Sequence, residues 1–146
     1  MFRQIEPRVY ASPQIDVTQI AEAAALGVKL VINNRPEDES PDQTPGAEIK
    51  RAARDAGLDY VAIPVTHAGF SGPQVAAMRA ALNRHAGAPV LAYCRSGTRS
   101  TLLWALAEAQ AGRDPAELAV AAAGAGYDLA PIRALLDTLA SAAPQG

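Results

Sequence analysis

Short apolar runs alternate along this chain with segments long enough to form helices, and this alternation restricts the folds that the chain can adopt. The runs are rich in valine, leucine and isoleucine, as strands buried in a sheet are. Strands are predicted at residues 8–11, 28–32, 60–63 and 90–93. Because parallel strands need long crossover connections, the pattern predicts an α/β fold with a mostly parallel central sheet flanked by helices. We expect a single domain over residues 1–146.

Capping residues, prolines and glycines mark where the intervening helices begin and end. Asp16 is placed to cap the first helix and Ser71 the third. Helices are predicted over residues 17–26, 46–56, 72–84, 100–110, 115–124 and 131–142. The acidic, turn-rich stretch 36–45 is predicted to be a mobile surface loop, and the tail 143–146 is predicted to fray.

The strand predicted at 90–93 leads into a polar loop that holds the only cysteine of the chain. This loop, the cysteine loop below, reads Cys94-Arg95-Ser96-Gly97-Thr98-Arg99, and a helix is predicted to begin at Ser100. Unpaired N–H groups at a helix N-terminus carry partial positive charge, and Gly97 permits the positive φ that gathers such groups into a nest. The same field stabilises a thiolate, the reactive form of cysteine. The two arginines add planar forks suited to an anion, so the sequence predicts an anion site around a reactive thiol.

Composition and charge narrow the classes of partner. The formal net charge is −2 and there is no basic run, which argues against nucleic acid. No apolar stretch approaches a membrane span, and the first residues show no apolar signal segment. One cysteine excludes an internal disulfide and suits a reducing compartment, so a cytoplasmic location is expected. His67, His85 and Cys94 lack the spacing of zinc ligands, and we predict neither metal nor cofactor.

Three segments of the chain resemble one known family. They are Val9-Tyr10-x-Ser12-x-Gln14, Gly27-x-x-x-Val31-Ile32-Asn33-x-Arg35, and the cysteine loop with Ser100. From about residue 3 to residue 139 the chain is similar to the phosphatase-like domain of beta-lactamase hydrolase-like proteins. The resemblance implies the dual-specificity tyrosine-phosphatase fold, with the cysteine loop at its centre. Relatives also occur fused to sulfur-metabolising enzymes, which implies a sulfide-oxidising enzyme as a partner.

The spacing within the cysteine loop departs from that of cysteine phosphatases. Those enzymes carry the loop arginine one place later, where this chain has Ser100, whereas here the arginine is Arg99. The pattern Cys-Arg-x-Gly-x-Arg instead resembles the active loop of rhodaneses, the thiosulfate sulfurtransferases. We therefore expect a phosphatase fold that carries a rhodanese-sized loop.

Sulfur transfer is the leading functional prediction. The Cys94 thiolate would attack the outer sulfur of thiosulfate or a similar oxyanion donor, while Arg95, Arg99 and the loop amides hold the departing sulfite. The Cys94 persulfide would then pass its sulfur to a low-molecular-weight thiol or to cyanide. This route needs no strong general acid, because sulfite is already a good leaving group.

Two alternatives stay open. In the first, the protein hydrolyses phosphate esters through a cysteinyl-phosphate on Cys94, with Arg99 clamping the phosphoryl oxygens. A phosphatase usually protonates its leaving group, yet residues 64–71, where related phosphatases carry an aspartate, include neither Asp nor Glu. His67 is a candidate proton donor there. In the second alternative, the domain binds an anion or a persulfide without turnover.

Several residues around the cysteine loop are assigned to substrate binding. They are Arg95, Ser96, Gly97, Thr98, Ser100, Arg35 and His67. Ser100 is placed either to bond the thiolate or to cap the helix, and Arg35 either to line the pocket or to bond within its loop. Asn33 and Asn34 are expected to brace loops through their amides, and Trp104 is expected in the core.

Overall fold

The computed structural model describes residues 1–143, and a five-stranded sheet forms its centre. The strands are β1 (Arg3–Glu6), β2 (Val9–Ser12), β3 (Leu30–Asn33), β4 (Asp59–Ala62) and β5 (Val90–Tyr93). They lie in the order β1-β2-β5-β3-β4. The β2–β5, β5–β3 and β3–β4 pairs are parallel, and β1 runs antiparallel to β2. The prediction of an α/β fold with a mostly parallel sheet is confirmed.

The edge strand β1 was not predicted. Its sequence is Arg-Gln-Ile-Glu, in which only Ile5 is buried. A strand at the sheet edge exposes most of its side chains, so the apolar run that identified the other strands is missing here. β1 joins β2 through a turn at residues 7–8, which shifts the strand predicted at 8–11 to Val9–Ser12.

Helices cover both faces of the sheet. They are α1 (Thr18–Ala25), α2 (Gly46–Asp55), α3 (Gly72–Asn83), α4 (Thr98–Gln110), α5 (Pro115–Gly124) and α6 (Arg133–Ala142), with a 3₁₀ turn at Ala130–Ile132. Ser71 caps α3 as predicted, because its hydroxyl accepts from the Gln74 N–H (3.3 Å) and the Gln74 side chain accepts from the Ser71 N–H (2.9 Å). The predicted fraying concerns mainly residues 144–146, which lie outside the described residues.

Side chains alternate along the central strands between two apolar cores. In β3, Leu30 and Ile32 belong to the core formed with α3, α4, α5 and α6, whereas Val31 belongs to the core formed with α1 and α2. β5 alternates in the same way, because successive side chains of a strand point to opposite faces. Both faces of these strands are therefore covered, which explains their continuous apolar sequences.

The helix α4 lies deep in the first of these cores. Its buried residues include Leu103, Leu106 and the indole of Trp104, which is fully buried as predicted. The Trp104 Nε1–H donates to Glu6 Oε1 (3.3 Å). Packing on several sides holds α4 in place, and with it the cysteine loop at its N-terminus. Over residues 1–143, no helix has both the length and the apolar character needed to cross a membrane.

Candidate active site

Cys94 lies between the end of β5 and the start of α4. The Gly97 N–H donates to its sulfur over 3.0 Å, and the thiol is buried. α4 begins at Thr98 rather than at the predicted Ser100, because Gly97 adopts a left-handed conformation (φ 91°) that turns the chain into the helix early. The sulfur thus faces a donated N–H at the N-terminal end of a helix.

The cysteine loop is held from two sides. On the β2 side, the Cys94 N–H donates to the Ser12 carbonyl (3.3 Å) and the Arg95 carbonyl accepts from the Gln14 N–H (3.2 Å). On the other side, the Tyr127 hydroxyl donates to the Ser96 carbonyl (3.1 Å). These bonds fix the shape of the cysteine loop.

Gly97 is the tightest point of the loop. A Cβ on Gly97 would collide with the Tyr127 hydroxyl and would lie 3.3 Å from the Ser12 carbonyl carbon. The residue therefore needs both the positive φ and the absence of a side chain. This observation supports the prediction that Gly97 provides a positive φ in the loop. It also identifies Tyr127, which the sequence did not suggest, as a residue in contact with the loop.

An open cavity of about 440 Å³ lies between the cysteine loop and the loop 64–71. Its walls include four of the predicted substrate-binding positions: His67, Arg95, Ser96 and Thr98. Phe70 and Leu102 provide an apolar wall. The Ser96 and Thr98 hydroxyls bond to each other (3.0 Å) at the cavity surface, and His67 is exposed at its rim.

Arg99 also borders the cavity, and its guanidinium is held by two groups. Glu39 accepts from Nη1 (Oε2, 2.7 Å) and from Nη2 (Oε1, 2.8 Å), and the Val65 carbonyl accepts from Nη1 (2.6 Å). The hydrogen bonds with Glu39 raise the pKa of Arg99, and the nearby Cys94 sulfur acts in the same direction. Arg99 thus lies close enough to the Cys94 sulfur to interact with it.

Glu39 is the principal site residue that sequence reasoning missed. Hydrogen bonds from Arg99, and then from Arg35, lower its pKa from 4.5 to about 2 against the opposing effect of burial. The residue lies in the stretch 36–45, which was predicted to be mobile because it is acidic and rich in turns. The sequence signal that could have identified Glu39 is its position four places after Arg35. Arg35 lies just beyond the carboxyl end of β3.

Arg35 does not line the cavity, in contrast to one of the two expectations for it. The side chain is 4% exposed, and its guanidinium donates to Glu39 Oε1 (2.9 Å), to Gln14 Oε1 (2.9 Å) and to Ser40 Oγ (3.0 Å). Arg35 therefore lies behind Glu39 and is linked to the site through that carboxylate and through Gln14, which also bonds the cysteine loop.

Ser100 has neither of its expected roles. Its hydroxyl donates to Asn34 Oδ1 (2.7 Å), and the N-cap position belongs to Gly97. The amide of Asn34 in turn donates to the Ile63 carbonyl (3.0 Å), and Asn33 Oδ1 accepts from the Arg35 N–H (2.9 Å). The expected bracing by the two asparagines is confirmed, and Ser100 is part of it.

The thiol follows a central parallel strand and faces the N-terminus of the next helix, whose first turn carries an arginine. This arrangement defines the protein as a member of the cysteine-phosphatase fold class. Comparison with known proteins identifies the family within that class. A family model described as "Beta-lactamase hydrolase-like protein, phosphatase-like domain" matches residues 1–112. The chain belongs to this family.

Individual relatives agree with this assignment. A beta-lactamase hydrolase-like protein of Agrobacterium fabrum is 34% identical over 110 residues, which are 75% of this chain and 25% of that protein. A candidate phosphatase from Neisseria meningitidis, solved by crystallography, is 36% identical with a TM-score of 0.80, covering 94% of this chain and 96% of that one. The crystal structure of PTPMT1 has a TM-score of 0.74 over 97% of both chains; at 17% identity this shows the fold alone.

These comparisons also bear on function. The chain spans about a quarter of the length of the curated relatives that it matches. The named relatives support an enzyme of the cysteine-phosphatase fold, and they favour the phosphatase alternative over the leading prediction of sulfur transfer.

Proposed function

We propose that this protein is an enzyme in which the Cys94 thiolate accepts a group from an oxyanion-bearing substrate. Three observations support the proposal: the Gly97 N–H on the sulfur, the Arg99 guanidinium nearby, and an open cavity lined by Arg99 and by other residues of the cysteine loop. A thiolate in this position can attack phosphorus or sulfur, and the arginine and loop amides can stabilise the charge that develops on the oxygens.

The range of possible substrates depends on whether the site can donate a proton to the leaving group. The groups available for that proton transfer are the main support for the proposal. Among residues 1–143, no carboxyl side chain lines the cavity. Glu39 is close to the site, but with a pKa of about 2 it has no proton to give at neutral pH. The substrate should therefore have a leaving group that departs as a stable anion without being protonated.

Hydrolysis of activated phosphate esters is the first form of this chemistry, and the family comparison supports it. The thiolate attacks phosphorus, the bond from phosphorus to the leaving oxygen breaks, and a cysteinyl-phosphate forms. Water then cleaves that intermediate, releasing inorganic phosphate and restoring the thiol. Phenolic leaving groups suit the site, whereas alkyl alcohols depend on His67 as a donor.

Sulfur transfer is the second form, and the position of Arg99 favours it. The loop is one residue shorter than that of cysteine phosphatases, and sulfite leaves without a proton. The thiolate attacks the outer sulfur of thiosulfate, the sulfur–sulfur bond breaks, and sulfite carries away the electron pair. A low-molecular-weight thiol then removes the sulfur from the Cys94 persulfide. A sulfide-oxidising enzyme as a partner belongs to this second form.

Intact mass spectrometry separates the two forms. The reduced protein is mixed with thiosulfate or with para-nitrophenyl phosphate, quenched with acid and weighed, alongside Cys94→Ser. Gain of one sulfur atom, reversed by added thiol, supports transfer; gain of one phosphoryl group with release of nitrophenol supports hydrolysis. Modification without turnover indicates a binding module, and no Cys94-dependent mass change with either reagent refutes the proposal.

A further inference from the structure

We propose that Arg95 is a specificity-determining residue that binds a second anionic group of the substrate, separate from the oxyanion that meets Cys94. The substrate class is then an ester or a thiosulfonate whose organic part carries a negative charge of its own. This inference rests on the proposed function, because it presumes that an oxyanion binds at the cysteine loop.

The two arginines of the cysteine loop differ in how far their charges are balanced by other groups. Glu39 accepts from both terminal nitrogens of Arg99 (2.7 and 2.8 Å), and the Val65 carbonyl accepts from Nη1 (2.6 Å). Arg99 also interacts with the Cys94 sulfur. The charge of Arg99 is therefore paired with a carboxylate and lies at the reacting thiol.

Arg95 has no partner of this kind. The residue is exposed, and its guanidinium forms no hydrogen bond or ion pair within residues 1–143. The pKa of Asp42 is lowered mainly by its hydrogen bond with Ser40, and Arg95 contributes least, through its charge alone. Asp42 is exposed, so water and salt screen this attraction. The positive charge of Arg95 is thus available to a ligand.

The cavity beside the cysteine loop places this charge where a substrate would lie. Arg95, Arg99 and His67 all line the cavity of about 440 Å³, and within residues 1–143 no carboxyl side chain lines it. Phe70 and Leu102 form an apolar wall of the same cavity. An apolar body that carries the reacting oxyanion at one point and a second acid at another is complementary to these walls.

The backbone of Arg95 is held in place beside the thiol. Its carbonyl accepts from the Gln14 N–H (3.2 Å), and the N–H of the preceding Cys94 donates to the Ser12 carbonyl (3.3 Å). The long side chain can therefore turn toward a bound anion from a fixed point. We expect this contact to favour negative charge on the substrate rather than one exact shape.

A different role for Arg95 makes a different prediction. The sequence predicts that Arg95 and Arg99 hold the same oxyanion, and in that case removing the Arg95 charge weakens every ligand with that oxyanion by the same factor. If Arg95 binds a second group, removing its charge also removes the preference for ligands that carry the group. The ratio of two affinities therefore decides between the roles, whatever the variant does to binding of the oxyanion itself.

The test is an NMR titration of the ¹⁵N-labelled full chain, followed through the amides of Ser96, Gly97 and Thr98. The ligands are the meta and para isomers of carboxybenzylphosphonate and the matching carboxamides. Each acid and its carboxamide have nearly the same shape and differ by one negative charge, and the stable carbon–phosphorus bond prevents transfer to Cys94. For at least one isomer we expect the wild type to bind the acid about fivefold more tightly than the carboxamide.

Variants assign this preference to one residue. In Arg95→Gln the preference should fall below about twofold, whereas Arg95→Lys keeps the charge and should keep most of the preference. Arg54→Gln removes an exposed positive charge from the last turn of α2, which leads into the amino end of β4, at the opposite end of the sheet from the cysteine loop. This control and His67→Gln, which alters the facing wall of the cavity, should keep the wild-type preference.

Each result has a separate meaning. Wild-type binding without a preference for either acid overturns the role of Arg95 and leaves the proposed function intact. A preference that persists in Arg95→Gln, or that is equally lost in Arg54→Gln or His67→Gln, overturns it as well. If no ligand shifts the loop amides of the wild type, the oxyanion site is refuted, and the proposed function fails together with this inference.

Discussion

Substitution of Gly97 by alanine should destabilise the protein by an amount that the structure allows us to work out. At φ 91°, an alanine costs about 1–2 kcal/mol relative to its ordinary conformation. The new methyl group would also collide with the Tyr127 hydroxyl, and displacing that hydroxyl forfeits its bond to Ser96, worth about 0.5–1.5 kcal/mol. We expect the free energy of unfolding to fall by about 2–3 kcal/mol in total.

Gly57→Ala is a matched control for this measurement. Gly57 has nearly the same backbone conformation (φ 82°), but a Cβ there would meet no atom within 4 Å. The control therefore isolates the backbone cost, about 1–2 kcal/mol. Urea unfolding can be followed through the fluorescence of Trp104, the single tryptophan, which is buried.

The difference between the two variants measures the contact with Tyr127. Gly97→Ala should lose about 1 kcal/mol more than Gly57→Ala, and its Cys94 should react more slowly because the loop no longer presents the Gly97 N–H to the sulfur. Equal losses in the two variants would refute the reasoning, since they would show that Tyr127 does not constrain the loop.

Three further predictions concern the polar network. Arg99→Lys keeps the positive charge but loses the planar guanidinium, so turnover of whichever substrate modifies Cys94 should drop about a hundredfold. Unchanged turnover in steady-state assays would exclude a role for Arg99. Ser100→Ala leaves Asn34 Oδ1 buried without its donor and should lower the free energy of unfolding by about 1–3 kcal/mol in urea; a loss near zero would contradict this. Because the pKa of Glu39 is lowered to about 2, the stabilising contribution of its carboxylate is complete above the ordinary pKa of Glu39 and is lost as the pH falls toward 2. The free energies of unfolding of wild type and Glu39→Gln, measured from neutral pH to about pH 2, should therefore converge. Parallel curves would contradict the ion pair.

The sequence predicted those features that depend on neighbouring residues or on periodicity. The apolar runs of β3 and β5 are continuous because both faces of these strands are buried, and that identified a parallel sheet. The cysteine loop was recognisable because its strand, thiol, glycine and arginines are contiguous. Capping of α3 by Ser71 depends on residues three places apart and was also predictable.

The features that were missed depend on contacts between distant segments. Glu39 lies 60 positions from Arg99 along the chain, and its spacing of four from Arg35 indicates a local pair but does not reveal the distant partner. The same holds for Ser100 and Asn34, which are 66 positions apart. Ser100 was expected either to bond the thiolate or to cap the helix because it adjoins the cysteine loop, but from the first turn of α4 its hydroxyl donates to Asn34 just beyond β3 instead.

The contact between Tyr127 and the cysteine loop bears on where this protein can be divided. The family model matches residues 1–112, yet Tyr127 follows α5, beyond that boundary. Its ring lies 5.4 Å from the Arg3 guanidinium, and Arg3 also donates to the Ala125 carbonyl (3.2 Å), so this segment is tied to both the first strand and the cysteine loop. A fragment cut at residue 112 would keep every residue of the cysteine loop and lose one of its walls. Anyone grafting this domain into another protein should carry the chain beyond Tyr127, because the family model ends before the contact of Tyr127 with the cysteine loop.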